Sequence, residues 1–242
     1  MTREKYSSLG HDFFRRHPSL RRISTCKTVT PVEWVESICQ HCPEITHLKL
    51  TIMVYPEEGV WESLVQLSKL KYLSLRASGD VRLFRGAMKS LESVHLQTAP
   101  SLRVLGNLFD VGPQLSCLKI CHTSYNEIQF ICEKFACLRR LELYVDDKEL
   151  NVSDNISIRS IHRNNVRCLT ILGRSDSLDS RSGIMNSDLV WIPEKFPLLN
   201  RLIIRDCSVS LAAIERLHHS VPSCRIDYDN KRFYPILDAP AR

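Results

Sequence analysis

Eight segments of the chain share one pattern of apolar and polar positions, L-x-x-L-x-L, and they recur at a nearly constant interval. They begin at Leu20, Ile45, Leu70, Leu91, Leu115, Leu138, Val166 and Leu199, with spacings of 25, 25, 21, 24, 23, 28 and 33 residues. The fourth place holds Ile23, Leu48, Leu73, Val94, Leu118, Leu141, Leu169 and Leu202. The sixth holds Leu50, Leu75, Leu96, Ile120, Leu143, Ile171 and Ile204, with Thr25 the single polar departure. Successive side chains of a strand point to opposite faces, so the fourth and sixth residues share one face and the third, fifth and seventh the other. One such unit cannot bury its apolar side alone, and the pattern therefore predicts stacked units forming a parallel sheet over a shared core. Proline stands two residues before the anchor at Pro18, Pro43, Pro113 and Pro197, and at Pro222 before a degenerate ninth unit, CRIDYD. There it fixes the turn into the strand.

Helix signals fill several linkers. Thr30-Pro31-Val32-Glu33 combines an N-cap, a proline at the first helical position and a capping-box glutamate, and Val35, Ile38 and Cys39 follow on one side. Ser124 to Glu127 repeats the capping box ahead of Ile128, Ile131, Cys132 and Phe135, and Leu211, Ile214, Leu217 and Val221 keep the same spacing. Repeated strand, turn and helix predict an α/β solenoid of eight or nine repeats: a horseshoe with short parallel strands on its concave face and helices on its convex face. The ends of such an array need covering. Phe13 and Phe14 at one end and Phe233, Tyr234, Ile236 and Leu237 at the other are assigned to caps. The expected organisation is one domain over 1–242, with an N-terminal cap at 1–17, repeats at 18–229 and a C-terminal cap at 230–242. Long insertions at 144–165 and at the Ser/Asp/Gly-rich 173–188 read as loops.

Composition narrows the class. A chain of 242 residues with 43% hydrophobic content can bury a substantial core. No stretch approaches the roughly 18 apolar residues of a membrane span, and MTREKYSSLGHDFF has no secretory apolar region. A soluble protein of the cytoplasm or nucleus is expected, with no membrane association. In a chain of this size without an export signal, the ten cysteines read as reduced thiols used mainly as small apolar residues.

The units CPEITHLKL, FACLRRLELY and FPLLNRLIIRDC resemble the leucine-rich repeats of F-box/LRR proteins, over about residues 18 to 229. The turn position eight residues after the anchor departs from the family pattern, carrying its cysteine or asparagine once, at Cys207. In that family an F-box attaches to the Skp adaptor of a cullin ubiquitin ligase and the repeats hold the substrate. An F-box takes roughly 40 to 50 residues, more than the segment before Leu20 can hold. The resemblance thus implies the substrate-holding half of such a protein. The F-box would be encoded upstream, or the chain would be a repeat-only relative that docks another way.

The repeat register also names the residues of the face opposite the core. At its second, third, fifth and seventh places stand eleven basic residues, Arg21, Arg22, Lys49, Lys71, Arg76, Lys119, Arg139, Arg140, Arg167, Arg201 and Arg205, against two acids, Glu92 and Glu142. The whole-chain net charge is only +6, so the excess is concentrated there. With Tyr72, His95 and Tyr144, these residues, Arg21 apart, form the candidate partner-binding surface. A face of one sign attracts the other, and arginine forks suit carboxylate or phosphate, so an acidic or phosphorylated protein segment is the expected partner. The plain alternative is that long basic side chains only solvate an exposed sheet. Nucleic acid is the lesser reading, because single-strand binders interleave basic residues with stacking aromatics and this face offers only Tyr72 and Tyr144.

Enzyme chemistry is not expected. The eight glycines are too dispersed for G-x-G-x-x-G or a phosphate-binding P-loop, and neither H-E-x-x-H nor G-x-S-x-G occurs. Cys39-Gln40-His41-Cys42, with His47 behind it, is the best metal candidate, but no second ligand pair follows, and no metal or cofactor is expected. Cys121-His122 cannot act as a thiol and its base while the two alternate along a strand. The expectation is a monomeric binding module.

Overall fold

A computed structural model of the chain describes residues 3–25, 29–52, 63–77, 88–97, 100–121, 125–145, 164–173, 186–229 and 231–234. They fall into two compact units, Met1–Leu115 and Ser116–Arg242, each of mixed helix and sheet. The first contains α1 (Arg3–Arg16), β1 (Arg22–Ser24), α2 (Val32–His41), β2 (His47–Ile52), β3 (Tyr72–Ala77), β4 (Ser93–Leu96) and α3 (Leu102–Val111). The second contains β5 (Cys117–Cys121), α4 (Tyr125–Lys134), β6 (Arg140–Val145), β7 (Cys168–Gly173), a 3-10 turn (Asn186–Val190), α5 (Trp191–Lys195), β8 (Arg201–Arg205), α6 (Leu211–Ser220), β9 (Arg225–Tyr228) and β10 (Lys231–Phe233).

The strands follow the alternation. In the first unit β1 to β4 pair in parallel and in chain order, aligning Ile23, Leu48, Leu73 and Val94 in one row and Leu50, Leu75 and Leu96 in the next. In the second, β5 to β9 do the same, aligning Leu118, Leu141, Leu169, Leu202 and Ile226, then Ile120, Leu143, Ile171, Ile204 and Tyr228. The leucines, isoleucines and valines of these rows are buried, apart from Ile23 in the short first strand, which stays partly exposed. So are Val35 and Ile38 of α2, Val104, Leu105 and Leu108 of α3, Ile128 and Ile131 of α4, and Ile214 and Leu217 of α6. The sequence CRIDYD therefore forms a true ninth parallel strand.

The entry into each strand is built the same way. The amides of Leu20, Ile45, Leu70, Leu91, Leu115, Leu138, Leu199 and Cys224 each donate to the carbonyl three residues earlier, at 2.9 to 3.2 Å. Pro18, Pro43, Pro113, Pro197 and Pro222 occupy the second position of that turn, where their fixed φ is an advantage. The residues ending α2, α3, α5 and α6 (Cys42, Gly112, Phe196 and Val221) have φ between −120° and −138° and ψ of 63° or 64°, each donating back into its helix. At Val166 no proline turn exists, and Asn164 replaces it. Its buried side chain accepts from the Val166 amide at 3.3 Å and donates to the Lys195 carbonyl.

The helix starts differ in part from the sequence reading. Thr30 does not cap α2: Pro31 is the capping residue, without a side-chain bond. The buried Thr30 hydroxyl instead pairs with Thr25 and accepts from the Thr51 amide at 3.3 Å. Ser101 and Ser210 do cap, accepting from Val104 and Ala213. The N-terminal cap is a helix, α1, whose Phe14 is buried edge-on to Trp34 of α2 at 6.0 Å, whereas Phe13 is half exposed. At the other end β10 pairs antiparallel with β9. Ser124, His122, Ile236, Leu237 and most of the two insertions, 146–163 and 174–185, lie outside the described residues. Among the described residues, no helix is long and apolar enough to cross a membrane.

Candidate functional site

Opposite the leucine rows, the third, fifth and seventh places present the second face of each unit. In the first unit the third-place row is Arg22, His47, Tyr72 and Ser93, and the fifth is Ser24, Lys49, Ser74 and His95. Arg22 and Arg76 are exposed and Lys49 is half-buried. Lys71 is committed, its ammonium 2.8 Å from the Glu92 carboxylate. Tyr72 stacks on His47, ring centres 5.8 Å apart. His95 lies 3.3 Å from the buried Ser74 hydroxyl, to which Gln97 donates at 3.2 Å. This face is polar and aromatic more than it is basic.

The second unit carries the arginines. Its third-place row runs Cys117, Arg140, Cys168, Arg201 and Arg225; its fifth runs Lys119, Glu142, Thr170, Ile203 and Asp227. Lys119 bonds Glu142 and lies over the Tyr144 ring, 4.7 Å from its centre. Burial works against its charge, but bonds to Glu142 and Tyr144 outweigh that and raise its pKa. At the far end the nearly buried Asp227 carboxylate takes both Nε and Nη2 of Arg201, at 3.2 and 3.0 Å, and Nε of Arg225 at 3.0 Å. Burial pushes that carboxyl up, yet the two guanidiniums prevail and hold it below its ordinary value. Arg225 also lies over Tyr234, 5.6 Å from its centre.

Asp227 and Arg225 belong to the face and were not among the residues named from sequence. Cys224 takes the anchor turn, yet Arg225 and Asp227 align with Arg201 and Ile203 at the third and fifth places, so this unit is one residue shorter between anchor and strand, and counting from Cys224 would have placed them second and fourth. Of the second-unit cations named from sequence, those without an ion pair among the described residues are Arg139, Arg140, Arg167 and Arg205, all exposed. Three of them cluster. The amides of Arg167 and Cys168 both donate to the Arg139 carbonyl, at 2.9 and 3.0 Å, so Arg139 and Arg167 stand side by side just before β6 and β7, with Arg140 beside Cys168.

Comparison with protein-family profiles and with curated proteins returned no match. Function is therefore argued from the faces themselves.

The metal candidate has other work. Cys42 donates its thiol to the Phe14 and His17 carbonyls, at 3.7 and 3.6 Å, and so ties α2 to α1. Burial pushes the Cys39 thiol up to about 12, which opposes the thiolate a metal needs. Among the described residues no cluster of three or more His, Cys, Asp or Glu side chains is arranged as a metal site. A groove of about 540 Å³ in the second unit is lined by Leu189, Val190, Pro193, Ala213 and Leu217 with Arg216; it contains none of the strand residues.

Proposed function

We propose that the chain is a leucine-rich-repeat solenoid that works as a non-enzymatic protein-binding module, its open sheet face receiving an acidic or phosphorylated segment of a partner protein. The observation that carries this reading is the cluster of Arg139, Arg140 and Arg167: exposed, neighbouring at the entries to β6 and β7, and without a carboxylate partner among the described residues. Side-by-side like charges cost free energy that a merely solvated sheet would not retain, and an anionic partner relieves it. By its resemblance to F-box/LRR repeats, the module is the substrate-holding part of a cullin ubiquitin ligase component, joined to it through the Skp adaptor if an F-box is encoded upstream. A repeat scaffold unconnected to ubiquitin would use the same face.

The docking reading is tested with a fluorescent hexaglutamate peptide carrying a central phosphoserine. Binding is expected to weaken with salt, and Arg139→Glu, Arg140→Glu and Arg167→Glu together should abolish it while the circular dichroism spectrum stays unchanged. Equal affinity of the triple variant would overturn the reading. The ligase role is tested separately by co-purification of the natively expressed protein with the Skp adaptor, whose reproducible absence would reject it.

A further inference from the structure

The second unit's face separates its cations into two classes. Lys119, Arg201 and Arg225 each hold a resident carboxylate, from Glu142 or Asp227. Arg139, Arg140 and Arg167 hold none among the described residues, and they neighbour one another along the backbone at the entries to β6 and β7. Adjacent strands lie roughly 4.8 Å apart, so the side chains of Arg139 and Arg167 leave the backbone within one strand spacing of each other. Arg140 has a small side chain on each side in its row, Cys117 on β5 and Cys168 on β7.

We propose that Arg139, Arg140 and Arg167 form a phosphomonoester site at the entries to β6 and β7, specific for a phosphorylated serine or threonine of a partner protein. This rests on the open face being the docking surface and adds which anion it selects and where. Three cations gathered at one spot are matched poorly by one carboxylate. A phosphomonoester brings about −1.5 to −2 charges at neutral pH and three acceptor oxygens, enough to engage more than one arginine fork at once.

The test is an arginine Nε–Hε NMR titration of the full chain with N-acetyl phosphoserine amide, and with N-acetyl glutamate amide as the carboxylate control. Saturable shifts are expected at Arg139, Arg140 and Arg167, with at least tenfold tighter binding of the phosphate. Affinity should fall as pH drops below about 6, where the phosphate takes its second proton. Arg139→Gln with Arg167→Gln should remove the binding, and Arg205→Gln should leave it intact. The proposal is overturned if both probes bind equally, if shifts spread unsaturated over every exposed arginine, or if a ten-residue oligouridylate binds with the same three shifts and displaces the phosphoserine probe. If unphosphorylated hexaglutamate binds and the double variant does not alter it, the phosphate site is rejected while the docking face stands. If neither hexaglutamate nor the phosphoserine probe binds, both fail.

Discussion

Leu141 and Arg140 are neighbours in β6, and the alternation places them on opposite faces of the second unit's sheet. Leu141 is fully buried in the middle of its row, between Leu118 and Leu169; Arg140 is exposed. Leu141→Ala deletes three buried carbons, a transfer loss of roughly 2.4 kcal/mol at about 0.8 kcal/mol each. The cavity left between paired strands brings the cost to about 3 to 4 kcal/mol. Arg140→Ala removes an exposed side chain without an ion pair among the described residues and should stay within about 0.5 kcal/mol of wild type. Urea unfolding followed by far-ultraviolet circular dichroism reads the difference: a midpoint lowered by about 1 M or more for Leu141→Ala, and one nearly unmoved for Arg140→Ala. Similar losses for both variants would refute the two-faced sheet, and with it the docking surface.

Three further outcomes follow from particular contacts. Asp227→Asn weakens the hold on Arg201 and Arg225 and should cost about 1 kcal/mol, charge-assisted bonds being discounted for half-exposed arginines. The folded carboxyl is held below its ordinary 3.8, so this stabilisation is complete above that pH and is lost as pH falls through the folded value. Urea midpoints of wild type and variant should therefore differ at pH 7 and converge near pH 2. Gly173→Ala puts a methyl against the backbone carbonyl of Asp206, which cannot swing away as a side chain could, and a melting temperature lowered by several degrees is expected. Burial drives the thiols of Cys39, Cys132 and Cys224 up to about 12, while Cys137 is exposed. Iodoacetamide at pH 8, read by peptide mass spectrometry, should label Cys137 in the native protein and the other three only after unfolding.

The strands were legible because alternation is a strong signal and eight copies reinforce it. What the pattern could not show were features set by partners distant in sequence. Thr30 reads as a cap until Thr25 and Thr51, brought alongside by strand pairing, take its hydroxyl. Residues 3–16 are polar and interrupted by Gly10, so periodicity alone gives no helix there; α1 is held by packing of Phe14 on Trp34 and by the Cys42 thiol on the Phe14 and His17 carbonyls. Asn164 looks like a loop residue although it closes a strand entry. The antiparallel β10 is short and basic, with no alternation, and it follows a turn in which Asp229 takes a φ of 45°, as two-residue hairpins require.

The candidate site shows the same division between what position dictates and what pairing decides. Register assigned the basic residues to the side opposite the leucines, and within each unit those that lie on strands pair in rows opposite the leucine rows. A count of charges by place nevertheless overstated the field, because it treated each side chain as independent. Parallel pairing sets fifth-place acids beside fifth-place and third-place cations of neighbouring repeats, so Glu142 cancels Lys119 and a single Asp227 serves two arginines. An acid at the fifth place reaches sideways along the row more readily than up to the second place, where Arg139 and Arg167 stand. Among the described residues, their charge is therefore left unmatched by the strand acids, and that unmatched charge is what the proposed docking rests on.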